Sequence, residues 1–313
     1  NEQRYWKPIL VAKQMGVRVG AYVDYYTQNT VPLFAVYDFL FCNTKRHFSV
    51  FSWHPNVLYL PWGVDTNKLK KKKKTSNVLT FLTTLGVEGE NERRGGRIAI
   101  KAFLKTQGNV KLIVCCQTPS NLCSKSFHND VNSDTRIEVR YVTFNQLPFN
   151  ESDVFVYPSR LEGIGLALPE AISSGLACVT TNSPPMNEFV QNEFNGYLVD
   201  VEKYLGTAHG YYWPDSVSNI EHLTQILQHY IDNQHIIEEH KINARKFALE
   251  HLDWKLNAKS IQPFIENKFI SNLTEEDIKK LNKQLRQENS NSFLEKYNDF
   301  IFFMRSTLKQ RLK

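Results

Sequence analysis

The chain has 313 residues, 42% of them hydrophobic, 12% aromatic and 22% charged, which excludes a disordered or fibrous protein and allows one to three folded domains. Its formal charge of +6 would suit an anionic partner, but Lys68 and Lys70 to Lys74 carry much of that excess and read as a solvated linker. The rest is close to neutral, which leaves little basis for nucleic-acid binding.

No stretch reaches the roughly 20 apolar residues of a membrane span, and no signal-peptide pattern opens the chain. Five cysteines form no CxxC pair and no Cys/His metal spacing. A soluble, cytoplasmic chain with free thiols is expected, with membrane association not indicated. The first residue is Asn1 rather than Met, and the opening segment enters directly as helix then strand, so a fragment is expected.

Apolar residues from Tyr5 to Met15 fall at helical spacing, Gly16 closes that helix, and Val17 to Val23 reads as a strand. Val31 to Tyr37 predicts a helix, Phe39 to Asn43 a strand, Lys45 to Ser52 a helix and Val57 to Pro61 a strand. This βαβ alternation predicts a parallel sheet. The polar, Lys-rich stretch after Gly63-Val64-Asp65 suits an interdomain linker.

A second alternation follows, with strands at Val78 to Thr83, Lys111 to Cys116, Ile137 to Val142, Val154 to Tyr157, Ala177 to Thr181 and Gly196 to Val199. Helices fall at Gly95 to Thr106, Leu168 to Ser174, Met186 to Gln191 and Ile220 to Asp232. The pattern is a doubly wound α/β domain, whose ligands bind beyond the carboxyl ends of the strands. After Trp254 the pattern is mostly helical, with helices from Glu275 to about Glu288 and from about Phe293 toward Leu312.

The segment from Val154 through Glu162-Gly-Ile-Gly-Leu-Ala-Leu-Pro-Glu170 to Gly175 reads as strand, tight turn and helix. Gly163 and Gly165 let backbone N–H groups approach an anion closely, and Pro169 fits a first helical turn. A carboxylate can accept two hydroxyl hydrogens at once, which suits the vicinal diols of a ribose or hexose. The plainer alternative is that Glu162 is a solvated loop residue and Glu170 an acidic residue near a helix start.

Two glutamates separated by seven residues resemble the signature of the retaining glycosyltransferase family 4. Leu60-Pro-Trp-Gly-Val-Asp65 is similar to the family's "PNGVD", Tyr157-Pro-Ser-Arg160 to "PSxxE", and Val179-Thr-Thr181 with Asn187-Glu188 to "VVAT…PE". Asn195-Gly-Tyr-Leu-Val199 resembles "NGxLV", and Leu252-Asp-Trp254 resembles "FSW". The resemblance covers about Gly16 to Ile261 and implies an α/β fold of GT-B type, two Rossmann-like domains with the N-terminal one truncated. Residues 1–66 would form the partial acceptor-side domain, 67–77 the linker, 78–262 the nucleotide-sugar-binding domain and 263–313 a helical extension.

The resemblance further implies transfer of a sugar from a nucleotide-diphosphate donor to a glycan, lipid or protein hydroxyl, with configuration retained and no cofactor. It sets Glu162 against the donor sugar and Glu170 against the ribose, with Gly163, Ile164, Gly165 and Leu166 holding the diphosphate or sugar. An Arg and a Lys are implied after the first strand of the second domain. Val87 stands where the Arg is usual, so Arg94 takes the electrostatic role, with Arg93 or Arg97 as helpers. No Asp-x-Asp is found, in agreement with metal-independent departure of the diphosphate.

Asn187 and Glu188 are read either as lining the donor sugar or as capping the local helix, and Asp24 as acceptor-side or turn-forming. His54 reads as a packed histidine. The aromatic run Tyr211-Tyr212-Trp213 either stacks on a sugar or packs on its own domain. A nucleotide-sugar epimerase or hydrolase of this architecture, and a non-catalytic binding module, are the rival functions.

Overall fold

The first run of strands builds a small parallel sheet. The computed structural model describes residues 6–69, 77–86, 93–120, 123–142, 147–207 and 210–267, with positions 279 and 283. Strands β1 (Gly20–Val23), β2 (Phe39–Cys42) and β3 (Val57–Tyr59) lie side by side in that order, all parallel. Helix α1 (Trp6–Gln14) precedes them, and Lys13 ties it to the sheet through a 2.8 Å ion pair with Asp38.

Helix α2 (Lys45–Phe51) joins β2 to β3, with the Thr44 side chain accepting from the His47 amide as its cap. The segment expected as a helix at Val31 to Tyr37 is a six-residue 3-10 turn, Val31–Val36. Pro32 removes a donor there, and the run is too short for an α-helical ladder. Tyr26, Phe34, Leu40 and Phe51 are fully buried at the centre of this unit.

The second sheet has six parallel strands in the order β6-β5-β4-β7-β8-β9. In chain order they are β4 (Leu79–Gly86), β5 (Val110–Cys116), β6 (Ile137–Tyr141), β7 (Val154–Tyr157), β8 (Ala177–Thr181) and β9 (Gly196–Val199). Helices α3 (Gly96–Phe103), α4 (Lys125–Asn132), α5 (Ala167–Ser173), α6 (Ile220–Asp232) and α7 (Gln234–His251) cover it. Every residue of β4, β7 and β8 is buried, as a parallel strand covered on both faces requires.

The apolar side chains divide into two core clusters, one containing Phe81 and Phe103, the other Phe155, Leu168 and Phe247. The order of strands reverses between β4 and β7, so the crevice at their carboxyl ends is the switch point of this sheet. Arg93 and Gly95, just before α3, lie there against Pro158 and Arg160, just after β7.

Three elements go beyond the sequence reading. Helix α4 has a polar sequence with only Phe127 and Val131 buried, too thin an apolar stripe to stand out. The hairpin β10 (Val201–Leu205) and β11 (Asp215–Ser218) pairs antiparallel, separated from the main sheet. Helix α7 packs on the main sheet, where Lys241 pairs with Asp153, just before β7, at 3.0 Å.

Beyond α7 the chain returns to the first unit. Val64 forms a parallel bridge with Asp253, and helices α8 (Trp254–Asn257) and α9 (Ile261–Glu266) follow. Phe264 packs on Phe39 and Phe41, and Arg18 donates to the carbonyl of Ile265 at 2.9 Å. The two passages between the units therefore run side by side. Val87, Lys70 to Lys74 and the two expected C-terminal helices lie outside the described residues.

Candidate functional site

From Tyr157, at the end of β7, the chain turns through Glu162 to Leu166 before α5 starts. Gly165 has φ of +80°, a conformation that side chains rarely adopt. A Cβ on Gly163 would collide with the carboxylate of Asp24, which follows β1 in the first unit. The motif thus lies at the switch point of one sheet and directly against the end of the other. The amides of Gly163, Ile164, Gly165 and Leu166 donate to no acceptor among the described residues, so the turn presents a row of free N–H groups suited to an anion.

Glu162 is 8% exposed. Its Oε1 accepts from the Tyr157 hydroxyl at 2.6 Å and from Ser159 Oγ at 2.9 Å, and faces Arg93 Nη1 at 3.2 Å. Burial, then the Glu162 charge, pushes the Tyr157 phenol far above its ordinary range, so Tyr157 is a fixed donor. Thr180 and Thr181 of β8 donate to the carbonyls of Tyr157 and Ser159 at 2.8 and 2.7 Å, fixing the turn to the sheet. Oε2 of Glu162 has no hydrogen bond among the described residues and is available to a ligand.

The two arginines after β4 divide the work. Arg93 is committed: besides facing Glu162, it donates to the carbonyl of Leu161 at 2.8 Å. Arg94 lies against Gly86, where a Cβ would collide with its guanidinium, and its buried Nε has no partner among the described residues. Arg97, the other expected helper, is turned toward α4 and pairs with Asp130 at 2.7 Å. A guanidinium at the ends of β4 and β7 whose Nε has no partner among the described residues is a ready phosphate ligand.

Glu170 stands in the first turn of α5, half-buried, with no partner for its carboxylate among the described residues. Burial raises its pKa. Asn187 is tied to Asn182, its Nδ2 donating at 3.1 Å. Glu188 reaches across to the first unit, where its two oxygens accept from the amides of Lys45 and Arg46 at 2.6 and 2.9 Å. The structure therefore places Glu188 as a cap on α2, a helix of the other unit.

That first turn of α2 supplies site residues which the sequence did not disclose. Arg46 is buried; it donates to the carbonyls of Glu162, of Pro184 at 2.8 Å and of Gly163 at 3.4 Å, and its guanidinium lies 5.4 Å from the Trp213 ring. His47 is fully buried, with Nε2 at 3.2 Å from the Gly163 carbonyl and Nδ1 at 2.9 Å from the Tyr26 hydroxyl. Periodicity marked α2 as a helix but carried no sign that its first turn faces another domain.

The aromatic run does not simply pack on its own domain. Tyr211 stacks on Tyr25 at 5.1 Å between centroids, the Tyr212 amide donates to the Tyr26 carbonyl at 3.0 Å, and Trp213 Nε1 donates to the Tyr26 hydroxyl at 2.7 Å. The hairpin thus grips the opposite unit instead of its own, because the polar tips of Tyr and Trp find their partners there. His54 is a packed residue, held between the Tyr37 carbonyl and the Asn56 amide, each at 3.1 Å.

Solved structures share this fold. A glycosyltransferase from Rickettsia africae superposes with a TM-score of 0.66 at 13% identity, over 84% of this chain and 75% of that one. HepE from Anabaena, in complex with UDP and glucose, superposes with a TM-score of 0.66 at 14% identity, over 82% and 74%. The fold is GT-B.

Residues 92–205 match the model of the family described as glycosyl transferases group 1. Over 59 residues the chain is 46% identical to UDP-Gal:alpha-D-GlcNAc-diphosphoundecaprenol alpha-1,3-galactosyltransferase of Escherichia coli, a match that spans 18% of this chain and 15% of that protein. The family match encloses the Glu162 turn, Glu170, Arg93 and Arg94. Among the described residues no helix is long and apolar enough to cross a membrane.

Proposed function

We propose that this chain transfers a glycosyl group from a nucleoside-diphosphate sugar to an acceptor hydroxyl, with anomeric configuration retained. One observation carries the reading: the amides of residues 163–166, the Nε of Arg94 and the Glu170 carboxylate, all without a partner among the described residues, belong to the segments at the switch point of the second sheet. The amides and Arg94 bind the diphosphate, and Arg94 stabilises the charge that grows as the sugar–phosphate bond breaks. Glu170 accepts from the ribose hydroxyls, and Oε2 of Glu162 from the donor sugar.

Glu162 is already held by Tyr157, Ser159 and Arg93, which suits a hydroxyl-reading clamp better than a nucleophile. The acceptor oxygen bonds to the anomeric carbon on the face the phosphate leaves, and its proton passes to the departing phosphate. The Arg94 cation offsets the diphosphate charge without a metal ion. Relatives named with UDP make a uridine nucleotide the first donor to try, and a glycan, lipid-linked sugar or protein hydroxyl the acceptor. The free cysteines, four of five buried, suit a reducing cytoplasm.

A thermal-shift panel of UDP-, GDP- and ADP-sugars identifies the donor, since ligand bound to the native state raises its stability. Incubation of that donor with candidate acceptors, followed by NMR of the anomeric proton, tests transfer and retention. Free sugar with no transferred product would identify a hydrolase, and an inverted product would overturn the stereochemistry.

A further inference from the structure

The first turn of α2 touches the donor turn through main-chain carbonyls alone. Arg46 donates to the carbonyls of Glu162 and Gly163, and His47 Nε2 lies 3.2 Å from the carbonyl of Gly163. In a trans peptide the C=O and the following N–H point in opposite directions. The carbonyls of Glu162 and Gly163 share their peptide planes with the amides of Gly163 and Ile164. Drawing both carbonyls toward α2 therefore turns both amides away from it and fixes their direction.

The protonation of this contact is also set. The Gly163 carbonyl can only accept, so neutral His47 carries its hydrogen on Nε2 and its Nδ1 accepts from the Tyr26 hydroxyl at 2.9 Å, which in turn accepts from Trp213 at 2.7 Å. The relay Trp213 to Tyr26 to His47 to Gly163 starts in the β10–β11 insertion, passes through the first unit and returns to the second. Glu188 adds a further clamp by accepting from the Lys45 and Arg46 amides at 2.6 and 2.9 Å.

We infer that Arg46 and His47 are positioning residues that cross the domain boundary to aim the amides of Gly163 and Ile164 at the anionic donor. This role rests on the donor reading above. The pair contacts no reacting atom. Its effect is to make the anion site preorganised only while the two units are in contact, so that free donors need not reorganise when the diphosphate arrives.

The test uses the full chain and 15N relaxation at Gly163 and Ile164 without ligand, beside calorimetric binding of UDP. In the wild type both amides are expected to have order parameters near 0.85, the rigid-backbone value, and in His47→Leu to fall toward 0.6. UDP should bind roughly 10-fold more weakly, the effect of losing about 1.4 kcal/mol. His47→Gln, whose amide nitrogen can replace Nε2, should restore most of both. Arg46→Gln serves as the second variant should His47→Leu fail to fold.

Order parameters and UDP affinity unchanged in folded His47→Leu or Arg46→Gln overturn the positioning role while leaving the donor reading intact. A wild-type chain that binds no UDP, GDP or ADP overturns the donor reading, and with it the purpose assigned to these residues, even if the variants loosen the turn.

Discussion

The hydroxyl of Tyr157 lies 2.6 Å from Oε1 of Glu162, so the last residue of β7 holds the first glutamate of the motif from beneath. Hydrogen bonds to a charged group contribute about 1.5–3 kcal/mol. Tyr157→Phe should therefore lower kcat by roughly 10-fold or more, with a smaller change in KM, because the carboxylate keeps Ser159 and Arg93 but loses its fixed orientation. Steady-state kinetics with the matched donor checks this; an unchanged kcat would show that the orientation of Glu162 is unimportant.

Arg94 and Arg93 should separate in a different way. Among the described residues Arg94 makes no hydrogen bond through Nε, so Arg94→Ala should leave the melting temperature nearly unchanged while cutting kcat by about 100- to 1,000-fold, the usual effect of removing one stabilising donor. Arg93→Ala removes the bonds to Leu161 and Glu162 and should lower stability as well as rate. Scanning calorimetry beside kinetics distinguishes the two; equal effects on both properties would count against the division of roles.

The parallel alternation and the Glu162–Glu170 turn were legible in the sequence, because buried parallel strands are continuous apolar runs and glycines mark the turn. What stayed hidden depends on contacts between units. Arg46 and His47 look like surface positions of a short helix until Gly163 and Pro184 are brought over them. Tyr211 and Trp213 carry no periodicity, and Glu188 looked local because its partners, the amides of Lys45 and Arg46, lie more than 140 residues away along the chain.

Glu170 should show function at the expense of stability. Burial without a partner raises its pKa, so the protonated carboxyl favours the folded state and that contribution is lost as pH rises through the folded pKa. At neutral pH the ionised group opposes folding. Glu170→Gln should raise the melting temperature of the unliganded chain by about 1–3 °C while weakening donor binding; a lower melting temperature would mean that the charge has a stabilising partner.

Acid should weaken the interface between the units. Burial, then the Arg46 charge, holds the His47 pKa down to about 3, whereas an unfolded imidazole titrates near 6.5. Between those limits the unfolded chain binds a proton that the folded chain refuses, so stability falls as pH drops, by up to about 1.4 kcal/mol per pH unit. Burial lowers His54 and His240 too, in the same direction. Urea midpoints at about pH 7 and pH 5 should differ less in His47→Gln than in the wild type; equal differences would remove His47 from this effect.

Titration calorimetry of UDP into the wild-type chain and into Glu170→Ala tests the donor site most directly. The expected result is one UDP per chain for the wild type and at least a roughly 10-fold loss of affinity in the variant, from about 1.4 kcal/mol of lost hydrogen bonding. Equal affinity in both proteins, or no binding of UDP, GDP or ADP to the wild type, would contradict a nucleotide site on the Glu162–Glu170 turn.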